Sequence, residues 1–266
     1  MSKSKSPPTP INLYHTTLSI TSHHHDSSGG STRSSHILGT HTDLLSARSF
    51  ALSCLESSLN YHPSDFAKFI TRLSYSPSPC PSPSSSSSNK EDENKQEWPY
   101  GDNTLVYALT HSGQEFLVGL EEKPNISSLK AGGPDGTPLL PKNSVCDHLH
   151  YVLQTTTHYD QAMDTKDDAF QNTEIEGCYI PRSEALNAAR KALRQEKEKG
   201  MFAQYDERDE IDRIGLGDGD EDECKKNGWP FGEDVVVHAV GQMGENYEVA
   251  VRTVPGAKRR RSKVVF

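Results

Sequence analysis

The chain of 266 residues is long enough for one large domain or two small ones. Only 33% of its residues are hydrophobic and the mean hydropathy is −0.72, which indicates a compact part diluted by disordered stretches. The net charge of −9 disfavours binding of the whole protein to nucleic acid or to an anionic membrane surface.

Targeting signals and cysteine use predict an intracellular protein. The first ten residues lack the apolar core of a signal peptide, and no apolar run approaches membrane-spanning length. The five cysteines are scattered and contain no Cys-x-x-Cys pair, which argues against a zinc site or a redox motif. We therefore expect reduced thiols, no cofactor and no membrane partner.

The first predicted unit covers residues 11–124 and follows a disordered stretch at 1–10. A strand rich in β-branched residues begins near His15, and a helix with a narrow apolar stripe begins near Thr42. A β-hairpin then turns near Gly113, where glycine can adopt the positive φ that tight turns need.

A histidine-rich segment lies at the end of the first strand. We take His23, His25 and Asp26 as weak metal-binding candidates, because imidazole and carboxylate groups are suitable ligands for transition metals. The alternative, a solvated polar loop, is favoured by the loose Ser/Gly-rich sequence that follows, since ligands need positioning.

An insertion at about 76–97 interrupts the first unit. Its Ser/Pro-rich and charged sequence cannot bury enough apolar surface to order itself, so we expect disorder. Within it, Ser76, Ser78 and Ser82 each precede a proline. They are candidate phosphorylation sites for proline-directed kinases, with an inert linker as the alternative.

A linker at 125–145, rich in turn-forming residues, leads to a second unit at 146–255. The segments that begin at Trp98 and Trp229, the only two tryptophans, align without a gap through both hairpins. The predicted helices align as well, and both carry alanine-rich stripes. The sequence therefore predicts an α+β fold of two tandem β-α-β-β repeats, with helices packed on antiparallel sheets and with disordered insertions.

Four residues are predicted to be structural anchors of the repeat: Trp98, Trp229, Gly39 and Gly177. The tryptophans, with their aromatic neighbours Tyr100 and Phe231, would alternatively form a ligand-stacking surface, but anchoring of each hairpin explains better why both copies keep them. The first strands align through His15 and His150.

Two charged segments lie in and after the second unit. The acidic stretch at about 204–228 reads as a solvated loop. The basic tail, residues 256–266, carries a compact cluster that nuclear import receptors recognise in other proteins. Its members are Lys258, Arg259, Arg260, Arg261 and Lys263. We therefore expect a location in the nucleus, or in nucleus and cytoplasm.

No nucleophile elbow, metalloprotease helix or phosphate-binding loop is present in the sequence. The favoured function is that of a protein-binding, scaffolding or regulatory protein whose partner the sequence does not identify. One alternative is a small-molecule enzyme with its site in a cleft between the units. The other is a nucleic-acid-associated protein that acts through the basic tail alone.

Overall fold

The computed structural model describes residues 9–23, 31–73, 98–132, 135–140, 148–159, 169–208 and 229–255. It shows an α+β fold made mostly of antiparallel sheet, with two five-stranded sheets and one longer helix packed on each. The predicted combination of helices and antiparallel sheets is confirmed. The predicted insertion at about 76–97, residues 209–228 of the insertion predicted at about 204–228, and the basic tail lie outside the described residues.

The first sheet is built from five strands in the order β2-β1-β5-β4-β3, and every neighbouring pair is antiparallel. Between its second and third strands come a helix, α1, and a 3₁₀ turn at Pro63–Asp65. The elements are β1 (Asn12–His23), β2 (Ser31–His41), α1 (Leu44–Ser57), β3 (Phe66–Thr71), β4 (Thr104–Thr110) and β5 (Glu115–Pro124).

The second sheet repeats this order as β9-β8-β12-β11-β10, again with antiparallel neighbours. A short ladder of two strands precedes it, and two helices follow its second strand. The elements are β6 (Lys130–Ala131), β7 (Pro138–Leu139), β8 (His148–Tyr159), β9 (Ala169–Tyr179), α2 (Arg182–Ala192), α3 (Arg194–Glu198), β10 (Phe202–Glu207), β11 (Val235–Gly241) and β12 (Asn246–Pro255).

The predicted β-α-β-β unit is not confirmed, because each sheet has five strands rather than three. The strands that the sequence did not predict are β2, β3, β9 and β10. The first six residues of β2 alternate between partly exposed and exposed at the edge of the sheet, so nothing imposes an apolar pattern on them. The stretch assigned to the acidic insertion begins inside β10, which continues to Glu207.

Each long helix lies on one face of its sheet through small side chains. The buried residues of α1 are Ala47, Ala51, Cys54 and Leu55, and those of α2 are Ala185, Leu186 and Ala189. Asp43, one residue later than predicted, is the N-cap of α1, and its Oδ1 accepts the amide of Ser46 at 2.8 Å. The alanines let the helix backbone approach the sheet closely, as the stripe predicted.

The other faces of the two sheets pack against each other. Leu18 of β1 belongs to the cluster under α1, whereas Leu13, an odd number of residues away, belongs to a separate cluster. In β8, Val152 likewise belongs to the cluster under α2, whereas its neighbour Leu153 belongs to the separate cluster. The separate cluster is the interface core, formed by Leu13, Leu129, Leu149, Tyr151, Leu153, Ile175 and Cys178.

Gly39 and Gly177 occupy matching positions beside a β-bulge in their strands. Gly39 lies opposite Thr16, and Gly177 lies opposite Val152, each where the register shifts. A Cβ atom on Gly39 would lie 2.8 Å from the ring of Phe50, and one on Gly177 would lie 2.8 Å from its neighbour Tyr179. Any larger residue would have to displace an aromatic ring at either position.

The strand pairing corrects the alignment of His15 with His150. Leu18 lies opposite Val118 in the first sheet, and Gln154 lies opposite Val249 in the second. Because the hairpin alignment pairs Val118 with Val249, Leu18 corresponds to Gln154 and His15 therefore corresponds to Tyr151. The shared histidines misled the sequence comparison by one residue, which in a strand exchanges the two faces.

Candidate functional site

A buried chain of polar groups crosses the interface between the sheets. His15 Nδ1 lies 2.9 Å from Thr40 Oγ1, and Thr40 Oγ1 lies 2.6 Å from the hydroxyl of Tyr151 in the second unit. Tyr151 also hydrogen-bonds the thiol of Cys178. One proton order satisfies every link: His15 donates to Thr40, Thr40 to Tyr151 and Tyr151 to Cys178. The Thr40–Tyr151 bond crosses from one sheet to the other, and the other two links each lie within one sheet.

The three titratable groups of this buried polar chain, His15, Tyr151 and Cys178, are all neutral near pH 7. Burial lowers the pKa of His15 to about 4, and Lys123 and His41 add to this effect. Burial raises the pKa of Tyr151 well above its ordinary value and that of Cys178 to about 12. His15 has no exposed surface, so no substrate reaches it. The polar chain is therefore a structural element rather than a catalytic one.

Two charged side chains at corresponding positions cap the edge strands across the interface. Glu121 lies opposite His15 in the first sheet, and Arg252 lies opposite Tyr151 in the second. Glu121 Oε2 accepts the amide of Ile175 on β9 at 3.1 Å. Arg252 Nη1 donates to the carbonyl of Ser35 on β2 at 3.2 Å. Each sheet therefore contacts the main chain of the other sheet's edge strand.

A cleft of about 390 Å³ opens beside the interface. One side is the edge strand β2, through Arg33–His36, and the opposite side is the loop at 231–234 together with Val235, the first residue of β11. The floor is the open face of the second sheet, where Thr155, Thr173 and Ala250 lie. The lining is mostly polar, and it joins residues of both units, as the enzyme alternative requires.

The positive and negative side chains that line the cleft differ in whether they already have interaction partners. Arg33 approaches Ser19 Oγ at 3.4 Å and lies 6.0 Å over the ring of Phe170, while Arg252 holds the carbonyl on β2. The carboxylates of Glu233, Asp234 and Glu248 also line the cleft. Among the described residues, none of these three carboxylates forms a salt bridge. Within the described residues, the two arginines therefore already have partners, whereas the three carboxylates have no salt-bridge partner.

The aromatic residues around the two tryptophans form matching groups. Trp98 packs edge-on against Tyr100 at 4.9 Å, and Tyr100 stacks on Tyr107 at 4.0 Å. In the second unit Trp229 packs edge-on against Phe231 at 5.0 Å, and that ring stacks on His238 at 3.7 Å. Because Tyr107 and His238 already cover one face of each stacking ring, these groups fit hairpin anchors better than a ligand platform.

Most of the other predicted site residues lie where the structure gives no side-chain description. His23 is the last residue of β1, and His25 and Asp26 lie outside the described residues. The same holds for Ser76, Ser78 and Ser82 and for the basic cluster Lys258–Lys263. Across the described ranges, no group of three or more His, Cys, Asp or Glu side chains is placed to hold a metal ion.

The sequence did not predict the polar chain or the edge caps. A histidine inside a run of β-branched residues, as His15 is, marks a strand position whose imidazole needs a partner. Finding that partner in Thr40 and Tyr151 required the correct register of both strands.

No family model, no curated protein and no solved structure matches this chain. Over the described part of the chain, each helix is too short or too polar to span a membrane.

Proposed function

We propose that this chain is an intracellular protein-binding or scaffolding protein built on a duplicated domain of the form β-β-α-β-β-β. The observation that carries the proposal is the cleft, in which an edge strand of one sheet lies beside the open face of the other. An edge strand presents main-chain donors and acceptors to any chain that comes alongside it. Such a surface binds another polypeptide without needing catalytic groups.

The duplication is supported by four kinds of correspondence between the units. The strand order is the same, and the bulges beside Gly39 and Gly177 match. The groups around Trp98 and Trp229 match in ring geometry, and both hairpins turn at a glycine with positive φ, +85° at Gly113 and +93° at Gly244. A single ancestral unit explains all four at once.

The experiment is cross-linking of the tagged full chain inside its own cells, followed by mass spectrometry. We expect cross-links to a small set of proteins. The free tag at the same concentration is the control for nonspecific capture. The proposal fails if the chain gives no more intermolecular cross-links than the tag and sediments as a monomer in lysate.

A small-molecule enzyme is the second candidate, and one contact favours it. His36 Nε2 lies 3.2 Å from Ser34 Oγ on the wall of the cleft, which is within reach for activation of a nucleophile. Both side chains are exposed, and in the described part of the chain no carboxylate hydrogen-bonds His36 to orient it. A fluorophosphonate probe tests this candidate: labelling that Ser34→Ala abolishes would favour an enzyme, and we expect no labelling.

The basic tail supports a proposal about location. Nuclear import through Lys258–Lys263 is tested with a fluorescent tag large enough to prevent passive entry, because a 29.4 kDa chain passes pores unaided. We expect nuclear accumulation that the triple variant Arg259→Ala, Arg260→Ala, Arg261→Ala loses. Binding of nucleic acid through this tail alone would instead appear as salt-dependent affinity that the same variant loses.

A further inference from the structure

The geometry points to a specific occupant of the cleft: an extended, basic peptide segment of a protein partner, added as a strand to the outer edge of β2, where it displaces Arg252 from the Ser35 carbonyl. This inference rests on the proposed protein-binding function and adds the site, the binding mode and the chemistry of the partner. Two independent features of the cleft carry it, the main chain of β2 and the three carboxylates that line the opposite wall and the floor.

The main chain of β2 faces the cleft. β2 is the outer strand of its sheet, so one edge pairs with β1 and the other does not pair within the sheet. The Ser35 carbonyl accepts from Arg252, so it points away from β1 and toward the second unit. In an antiparallel strand the N–H and C=O of one residue share an edge and alternate along the chain. Arg33 therefore presents its main chain to the same side.

The length of β2 along the cleft fits an added strand. The stretch Arg33–His36 is about 13 Å long at roughly 3.3 Å per residue, which is enough for four residues of a paired strand. The floor beneath is sheet, with small or short side chains at Thr155, Thr173 and Ala250. A strand that pairs with β2 directs alternate side chains onto this floor and toward the opposite wall.

The charge of the cleft selects a basic segment. Glu233 and Asp234 are exposed on the wall opposite β2, and Glu248 lies on the floor. In the part of the chain described here, the two arginines are engaged with Ser19, Phe170 and the Ser35 carbonyl, whereas these carboxylates make no salt bridge. Lysine or arginine side chains of a bound strand complement them, and phosphate groups or an acidic peptide are repelled.

The test uses three fluorescein-labelled nonapeptides and the full-length protein. The first alternates threonine and lysine, the second alternates threonine and glutamate, and the third is the lysine peptide with alternate main-chain amides methylated. We expect fluorescence anisotropy to show binding of the first peptide, weakening with salt. We expect the glutamate peptide and the N-methylated peptide to bind at least about tenfold more weakly, because one lacks charge complementarity and the other cannot pair along an edge.

Charge-reversal variants locate the site. Asp234→Lys with Glu248→Lys is expected to weaken the lysine peptide at least about tenfold. Glu198→Lys is the control, because Glu198 is exposed on α3 and, within the described residues, its salt-bridge partner is Arg194 at 3.6 Å. Asp234→Asn with Glu248→Gln replaces the reversal if that variant melts at a lower temperature than the control. An equal effect of cleft and control variants overturns the site.

The remaining outcomes separate this inference from the function on which it rests. Equal binding of the N-methylated peptide overturns strand addition. If the lysine peptide binds only the variant Arg259→Ala, Arg260→Ala, Arg261→Ala, the occupant is the chain's own basic tail, and a partner segment is overturned. If no peptide binds while cross-linking in cells identifies a partner that the cleft variants retain, this inference fails and the protein-binding function stands.

Discussion

The two sheets have the same strand order, yet they differ where they meet. His15, Thr40 and Glu121 of the first unit correspond by strand pairing to Tyr151, Cys178 and Arg252 of the second. Two identical units would place like groups at these positions, with two glutamates or two arginines as the edge caps. Three hydrogen bonds cross the interface at or beside these positions: Thr40 with Tyr151, Glu121 with the Ile175 amide, and Arg252 with the Ser35 carbonyl. The two units are therefore not interchangeable where they meet.

The faces of the sheets that carry the helices do not share this difference. The helix faces are alike in chemistry, since both bury alanines against a sheet. The differences are therefore concentrated on the faces that meet, whereas the faces that carry the helices are alike in the residues they bury. This division predicts large and unequal effects for variants at the interface and equal effects for variants under the helices.

The largest expected effect is at Tyr151, which has 2% of its surface exposed and contacts the first unit through both ring and hydroxyl. Tyr151→Ala should lower the free energy of unfolding by about 3–5 kcal/mol, because it leaves a cavity and breaks the polar chain. The corresponding change His15→Ala should cost less, about 1–3 kcal/mol, because the smaller ring leaves a smaller cavity. Urea unfolding measures both. Equal losses would show that the two positions are not specialised.

Protonation of His15 is expected to weaken the interface in acid. Its folded pKa of about 4 lies below the ordinary 6.5, so the unfolded chain binds more protons in this window. Stability should therefore fall as the pH drops from 6.5 to 4, by up to about 3 kcal/mol from this group. Unfolding of wild type and His15→Asn from pH 7.5 to 4 measures the difference. His41 and His150 still titrate in the variant, so its stability keeps some dependence on pH. If stability depends on pH equally in wild type and variant, His15 is not buried in its neutral form.

Helix packing should respond equally in the two units. Ala51 and Ala189 have no exposed surface and lie at corresponding places in the alanine stripes of α1 and α2. Replacing either by leucine should cost about 1–3 kcal/mol, because the close contact between helix and sheet has no room for more methylenes. Thermal unfolding of the two variants measures this. An unchanged midpoint for one of them would show that its helix face packs loosely and that the helix packing is not shared.

The sequence predicted the parts of this fold that have strong local patterns. The alanine stripes, the hairpins and their glycines follow from periodicity and turn chemistry, which neighbouring residues determine. The edge strand β2 escaped prediction because Ser31–His36 are polar on both faces, as an uncovered strand at a sheet edge can be. The polar chain escaped because His15, Thr40 and Tyr151 are distant in sequence and come together only when two sheets pack.

The smallest expected effects on the free energy of unfolding concern the two edge caps, Glu121 and Arg252. The ratio of these two losses gives the sharpest comparison of the units. The Glu121 carboxylate is partly buried, burial raises its pKa, and it accepts the amide of Ile175. Glu121→Ala should cost about 1–2 kcal/mol, because it removes the partner of that amide at the edge of β9. Arg252 is exposed, so Arg252→Ala should cost about 0–1 kcal/mol.

Amide hydrogen exchange distinguishes these two caps residue by residue. Glu121→Ala should speed exchange at Ile175, because its amide then opens to water at the edge of β9, whereas Arg252→Ala should leave it unchanged. Arg252 holds a carbonyl rather than an amide, so the matching change on β2 should instead appear as tighter binding of a strand-forming peptide beside Ser35. Unaltered exchange at Ile175 in Glu121→Ala would show that the first cap is not formed in solution.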